Sequence, residues 1–146
     1  MIKLKPIDES NYRECVKLNV KQHQREYVEN GNSVAMTKAY VYRECTLPFA
    51  VYNDDVIVGF VQYREINKLG NYLIDKIMIK DEFQKRGYGT RVLNIIVDRI
   101  KTENKYKKLC LCVDIRNKEA IQLYKKYGFI QDEPEDAGEL VLAITW

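Results

Sequence analysis

Gln84-Lys85-Arg86-Gly87-Tyr88-Gly89-Thr90 joins a stretch that reads as a strand, YLIDKIMIK (72–80), to one that reads as a helix. The helix is amphipathic: over Thr90–Lys101, Val92, Ile96 and Ile100 form one stripe, joined by Leu93 and Val97. Between them, Gly87 and Gly89 allow backbone conformations and close approaches that a side chain would block. Unpaired amides of such a loop and of the first helical turn can converge on one anion, aided by the helix dipole. Lys85 and Arg86 add positive charge. The plainer alternative, a tight turn that merely starts a helix, stays open on the loop alone. Two nucleotide-binding loops are excluded. A dinucleotide fingerprint needs a third glycine where Val92 stands, and a P-loop needs Gly-Lys-Ser/Thr.

Working outward, MIKLKPI reads as a first strand, with Asp8 offering an N-cap for a helical stretch from Asn11 to about Glu29. Asn30-Gly31-Asn32 is a turn, and Ser33 caps a second helix ending near Cys45. After Pro48, FAVY and VIVGFVQYREI are strands joined through Asn53-Asp54-Asp55. In YLIDKIMIK, strict alternation predicts that Leu73, Asp75, Ile77 and Ile79 share a face. KKLCLCV is another strand, Asn117 caps the helix KEAIQLYKKY, Gly128 ends it, and GELVLAITW is the last strand. Hairpins at one end and strand–helix alternation at the other predict an α/β chain. It would have a mixed sheet with helices on its faces, in one domain spanning 1–146.

Composition narrows the function classes. With 46% hydrophobic and 31% charged residues, the chain is an ordinary globular one. No apolar run approaches a membrane span, and MIKLKPIDES lacks the apolar segment of a secretory signal, so a cytoplasmic protein is expected. A net charge of +3 and tyrosines spread over the whole chain give no organised nucleic-acid surface. Cys15, Cys45, Cys110 and Cys112 lack zinc-like spacing, and no metal is expected; Cys110 and Cys112 alternate like small buried hydrophobes of one strand face. His23, the only histidine, sits in a polar stretch and reads as solvated.

QKRGYG matches the Gln/Arg-x-x-Gly-x-Gly/Ala loop of the GNAT superfamily of acetyl-CoA-dependent N-acetyltransferases, which this chain resembles. YLIDKIMIKDEFQKRGYG is similar to that family's fourth strand running into its pyrophosphate loop. NKEAIQLYKKYGF is similar to its second signature, Asn-x-x-Ala-x-x-x-Tyr-x-x-x-Gly-Phe. In the first half, QHQREYVENGNSVAMTKAY and FAVYNDDVIVGFVQY resemble the bacterial spermine/spermidine (diamine) acetyltransferases. The resemblance implies a mostly antiparallel central sheet splayed at a cofactor groove. It also implies transfer of acetyl from acetyl-CoA to a primary amine such as a polyamine, and, as is common in the family, homodimerisation.

Carried onto this chain, the resemblance assigns the pantetheine arm to the main chain of Ile77, Met78 and Ile79. It assigns the pyrophosphate to the loop Gln84, Lys85, Arg86, Gly87, Tyr88, Gly89 and Thr90. Asn117, Lys118, Glu119 and Ala120 would lie beside the arm. Tyr124 matches the tyrosine that protonates the departing thiolate and closes the cofactor site; read without the motif, it is a core residue of the helix. Asp75 matches the acidic residue of diamine acetyltransferases, an amine-binding and deprotonating carboxylate; histone-type relatives carry theirs where this chain has Leu73. Without the family, Asp75 reads as a strand-face carboxylate paired with Lys76 or a neighbour. Glu26 and Tyr27, with Glu29 nearby, would meet a distal ammonium, or else lie on a solvated helix face. Acceptors other than polyamines (an aminoglycoside, an amino acid, a protein N-terminus) and a non-catalytic CoA-binding regulatory domain stay open.

Overall fold

The computed structural model describes residues 1–20, 24–25 and 32–146. Its strands are β1 (Ile2–Pro6), β2 (Thr46–Asn53), β3 (Val56–Ile66), β4 (Asn71–Ile79), β5 (Lys108–Asp114), β6 (Ile130–Gln131) and β7 (Glu139–Thr145). The helices are α1 (Tyr12–Lys17), α2 (Ser33–Val41), α3 (Tyr88–Glu103) and α4 (Lys118–Tyr127). The strands form one seven-stranded sheet in the order β1-β2-β3-β4-β5-β7-β6. Every pairing is antiparallel except β4 with β5. This is the mixed, mostly antiparallel α/β sheet that the sequence implied. Among the described residues, no helix is long and apolar enough to cross a membrane.

The apolar stripe of α3 (Val92, Leu93, Ile96, Val97, Ile100) is buried on one face of the sheet, where Ile121 and Tyr124 of α4 join the same core. A smaller core on the other face gathers Cys15 and Leu18, Val20, and Ala35 of α2 around Ala50, Ile57, Phe60 and Met78. Local signals set the borders of α4. The Asn117 side chain accepts from the Ala120 amide at 3.3 Å, and Gly128 turns the chain at φ 125° so that Phe129 returns to the core.

Tertiary burial overrules several sequence expectations. The first helix stops at Lys17 instead of running to Glu29: Leu18 is extended (ψ 137°), and Leu18 and Val20 are buried from non-helical backbone. The polar run that follows offers no apolar stripe to extend the helix. Residues 21–23 and 26–31, and with them the expectations for His23, Glu26, Tyr27 and Glu29, lie outside the described residues. Asp8 caps a turn at Ser10, and Asn11 takes the N-cap position of α1. Asn32, not Ser33, precedes α2, which ends at Val41 rather than near Cys45. β2 begins at Thr46 and takes in Pro48, tolerated because β1 has ended opposite Phe49. The short β6 was not foreseen.

β4 carries the correction that matters most. Tyr63 pairs with Ile74 and Gln62 with Lys76, so Asp75 is an extra, bulged residue. The bulge breaks the alternation and turns Asp75 to the face of Gln62 and Arg64, opposite Ile77, whose partner is Val61. The expected common face of Leu73, Asp75, Ile77 and Ile79 therefore does not exist.

Candidate functional site

β4 and β5 run parallel and pair only at Tyr72–Leu109, Leu73–Cys110 and Ile74–Leu111. Beyond this seam they diverge, leaving a cavity of about 570 Å³ between them. Residues of both sheet faces line it: Val20, Gln24, Ala35, Lys38 and Arg64 from the α1–α2 side, and the start of α3 with Ala120, Leu123 and Tyr124 from the other. The splay also explains the cysteines of β5. Cys110, within the seam, is buried beneath Asn71, whereas Cys112 lies past it and is exposed to the cavity, so it is not the buried hydrophobe expected.

Most of the residues singled out in the sequence meet here. Asp75, Ile77, Met78, Ile79, Gln84, Lys85, Gly87, Tyr88, Gly89, Thr90, Asn117, Glu119, Ala120 and Tyr124 all line the cavity. Arg86 and Lys118 lie outside its wall; the Arg86 guanidinium sits 5.5 Å from the Phe83 ring. Arg64, Gln24, Lys38, Cys112, Asp114 and Glu139 were missed. Arg64 was hidden because its partnership with Asp75 depends on the bulge.

The loop has the backbone geometry that an anion cradle requires. Gly87 takes a left-handed φ of 79° just before α3, with nothing within 4 Å of its Cβ direction. Arg91 makes the first backbone bond of the helix, to the Gly87 carbonyl at 3.2 Å, so the Tyr88, Gly89 and Thr90 amides stand outside the helical ladder. Gly89 has a packing role: a Cβ would meet Leu123 Cδ2 of α4 at 3.2 Å. The Tyr88 hydroxyl accepts from Asn53 Nδ2 at 3.1 Å, which ties the side chain to the end of β2. Strand edge, open cleft and amide cradle together fit a long ligand with an anionic middle, as coenzyme A is.

Tyr124 and Asp75 stand on opposite sides of the gap. Tyr124 is 7% exposed and packs edge-on to Phe129 at 5.8 Å. Burial alone pushes its phenol well above the ordinary value, so it stays protonated. The Asp75 side chain, 4% exposed, accepts from Arg64 Nε at 3.0 Å through Oδ1; its Oδ2 lies 3.5 Å from Gln62 Nε2. At the far rim, Arg116 holds the carboxyl of Asp114 down at about 2 through a two-pronged contact. Among the described residues, no three His, Cys, Asp or Glu gather as metal ligands would.

Comparison with known proteins agrees with this architecture. Residues 11–129 match the acetyltransferase (GNAT) family model. The spermine/spermidine N(1)-acetyltransferase of Bacillus subtilis (strain 168) is 29% identical over 150 residues, covering 97% of this chain and 96% of that one. The fold matches the crystal structure of spermidine N-acetyltransferase from Vibrio cholerae in complex with CoA and spermine. The TM-score is 0.78 at 21% identity, covering 99% of this chain and 95% of that one. A dodecameric structure of the Vibrio cholerae enzyme matches at TM-score 0.73 and 20% identity, covering 99% and 93%. The chain belongs to the GNAT family and is an acetyl-CoA-dependent N-acetyltransferase.

Proposed function

We propose that this enzyme acetylates a primary amine of a polyamine such as spermine or spermidine, by direct attack in a ternary complex. The observation that carries the reading is the cavity crossing the sheet at the β4–β5 gap, with Asp75 on one face and Tyr124 on the other. Such a passage lets an amine and a thioester meet from opposite sides. Similarity along 97% of the chain to a spermine/spermidine acetyltransferase supports the choice of amine. So does the acid at the rim: Asp114, Glu119 and Glu139 line the cavity, and Asp132, Glu133, Glu135 and Asp136 lie in the chain just before Glu139. With Asp114 held by Arg116 and Asp132 by Lys108, it falls to Glu119 and Glu139 of the rim to meet a polycation.

Bound acetyl-CoA supplies an activated acetyl thioester. The β4 main chain at Ile77–Ile79 would hold the pantetheine arm, with the Ile77 amide placed to polarise the thioester carbonyl. The loop from Gln84 to Thr90 holds the pyrophosphate, and Asn117–Ala120 flank the arm. An alkylamine with a pKa of about 10.4 is neutral in roughly one part in 10³ at pH 7, a penalty near 4–5 kcal/mol. Asp75 Oδ2 receives the ammonium and takes its proton, directly or through water. Arg64 holds Oδ1 and so orients the carboxylate. The freed amine would attack the thioester carbonyl carbon as the C–S bond breaks; the buried Tyr124 hydroxyl would give its proton to the departing sulfur, a contribution on the order of 10²–10⁴ in rate, and would be restored by the second proton that the nitrogen sheds as the amide forms. Glu26 and Tyr27 are proposed to meet a distal ammonium.

A second reading follows from Lys38, Arg64 and Lys76, cavity residues that would favour an amine carrying a carboxylate, such as an amino acid. The whole of 1–146 is taken as one catalytic domain that associates as a homodimer, and the four free cysteines fit the reducing cytoplasm. The test is CoA release from acetyl-CoA with spermine, spermidine, putrescine, lysine and an aminoglycoside. Saturable turnover confined to the polyamines is expected; turnover with lysine alone would select the second reading.

A further inference from the structure

Gln62 of β3 is fully buried, a costly place for a carboxamide. Its Nε2 lies 3.5 Å from Asp75 Oδ2, whereas its Oε1 is sealed from solvent and accepts nothing among the described residues. The bulge creates this contact: Lys76 pairs with Gln62, and Asp75, the extra residue beside it, is turned to the same face. Arg64 Nε donates to Oδ1 at 3.0 Å, which leaves Oδ2 to Gln62 and to the amine. The other ionisable groups around this end of the cavity are Tyr42 under the Arg64 guanidinium, Lys38 of α2 and Lys76 of β4. β2 brings Thr46 and Pro48 opposite Arg64 and Gln62, α1 brings Cys15, and Cys112, Asp114 and Glu139 stand across the gap. An apolar side chain would fill the place of Gln62 without burying an unpartnered oxygen.

A carboxamide serves either protonation state of a carboxyl group. Nε2 donates to a carboxylate. A protonated carboxyl needs an acceptor, and half a turn of the amide puts Oε1 where Nε2 stood, in the same volume. Because Oε1 holds no bond, that turn gives up only the contact with Oδ2. We propose that Gln62 is a positioning residue for the Asp75 base, its amide steadying Oδ2 through Nε2 as a carboxylate and, turned over, through Oε1 as a carboxylic acid. The proposal rests on the reading of Asp75 as the group that deprotonates the amine. In that step an N–H bond of the ammonium breaks and an O–H bond forms at Oδ2. The new O–H donates to Oε1 while the amine attacks, and its proton passes to solvent through the cavity as product leaves. A contact of 3.5 Å is loose for a charge-assisted bond and suits a group that releases one state to hold the other.

The test is Gln62→Met, which keeps the length of the side chain and removes both polar atoms. Its melting temperature is expected within about 2 °C of the wild type or above it, because an unpartnered buried oxygen is lost with the amide. Its kcat/KM for spermidine falls about tenfold, the size of one hydrogen bond to a charged group, and its acetyl-CoA KM stays within about twofold. NMR titration supplies a readout that packing alone would not move. The Asp75 carboxyl carbon titrates about half a unit higher in Gln62→Met, since the charged form loses the stronger of the two bonds. In the wild type the Gln62 Nε2 protons shift to higher field with the Asp75 midpoint, as the donor is released. Gln62→Glu, which loses the donor and sets a second carboxyl beside the first, raises that midpoint further. A lower melting temperature with wild-type kinetics in Gln62→Met, an unmoved Asp75 midpoint, or amide protons that ignore the titration would each overturn the proposal. An unchanged pH–rate profile in Asp75→Asn would refute the base assignment and the role of Gln62 with it; wild-type kinetics in Gln62→Met beside an impaired Asp75→Asn would refute the role of Gln62 alone.

Discussion

Gly59 of β3 lies so close to β4 that a Cβ there would fall 2.3 Å from the Met78 carbonyl oxygen and 3.3 Å from its carbon. Ordinary contact begins at 3.4 Å, so Gly59→Ala must separate the strands by about 1.1 Å at that point. The obstacle is backbone in mid-sheet and cannot rotate away. Overpacking of this kind costs about 1–3 kcal/mol. For a chain of this size that lowers the melting temperature by roughly 2–12 °C, at about 2–4 °C per kcal/mol. The kinetic effect is larger, because Met78 belongs to the stretch proposed to hold the pantetheine arm. A misplacement of about 1 Å there costs on the order of 10²-fold in kcat/KM for acetyl-CoA. Thermal denaturation with and without CoA, alongside steady-state kinetics, measures both. Gly70→Ala is the control: it is also strained, at φ 66°, but it meets nothing closer than 4.0 Å and lies in the β3–β4 turn, so it loses stability without losing acetyl-CoA affinity. If Gly59→Ala melts with the wild type and keeps its acetyl-CoA KM, the close strand contact does not shape the cofactor edge.

Tyr124→Phe removes a hydroxyl that holds no hydrogen bond among the described residues, so it leaves the melting temperature within about 2 °C while kcat falls on the order of 10²-fold or more; a loss of acetyl-CoA binding instead would make Tyr124 structural. Because burial raises this phenol above its ordinary 10.0, Tyr124 remains an acid throughout pH 7–10, and any stability drawn from its neutral form is lost only as pH climbs past 10. Asp75→Asn removes half of an ion pair whose side chains are 20% and 4% exposed, but leaves an oxygen for Arg64. Discounted for the solvent that Arg64 reaches, this costs about 1–3 kcal/mol in denaturant unfolding, and the rate falls most at low pH. An unchanged pH–rate profile would remove Asp75 as the base. Arg116→Gln returns the Asp114 carboxyl from about 2 toward 3.8, read by NMR titration. In the wild type the stability from this contact is present above pH 3.8 and disappears as pH falls through about 2.

What could be read in the chain and what could not divide by range. The α3 stripe, the QKRGYG loop, the Asn117 cap and the Gly128 stop are set by neighbours within a turn or two, and all stand where the spacing put them. The bulge at Asp75 depends on β3, whose Gln62 and Arg64 sit 13 and 11 residues earlier, and nothing in LIDKIM marks it. The end of α1 follows from burying Leu18 and Val20 against Phe60 and Met78, contacts no helical period contains. The splay was legible only through the family resemblance: nothing in YLIDKIMIK or KKLCLCV themselves marks it, and the structure shows it in Cys112, exposed on an otherwise apolar run. Gly59 was legible in principle, since a glycine inside a strand marks a close backbone approach.

The three-residue seam has a consequence for turnover. It makes the sheet two rafts, β1 to β4 and β5 with β7 and β6, joined by a ladder only from Tyr72 to Ile74, above a core that α3 shares with both. A ligand in the proposed cofactor position would supply missing rungs, so acetyl-CoA and product CoA alike would brace the two rafts. At a hundred times its dissociation constant such a ligand adds about 2.7 kcal/mol to the folded state. A sheet zipped to its end would be sturdier when empty, but it would leave no edge of β4 for the cofactor to occupy.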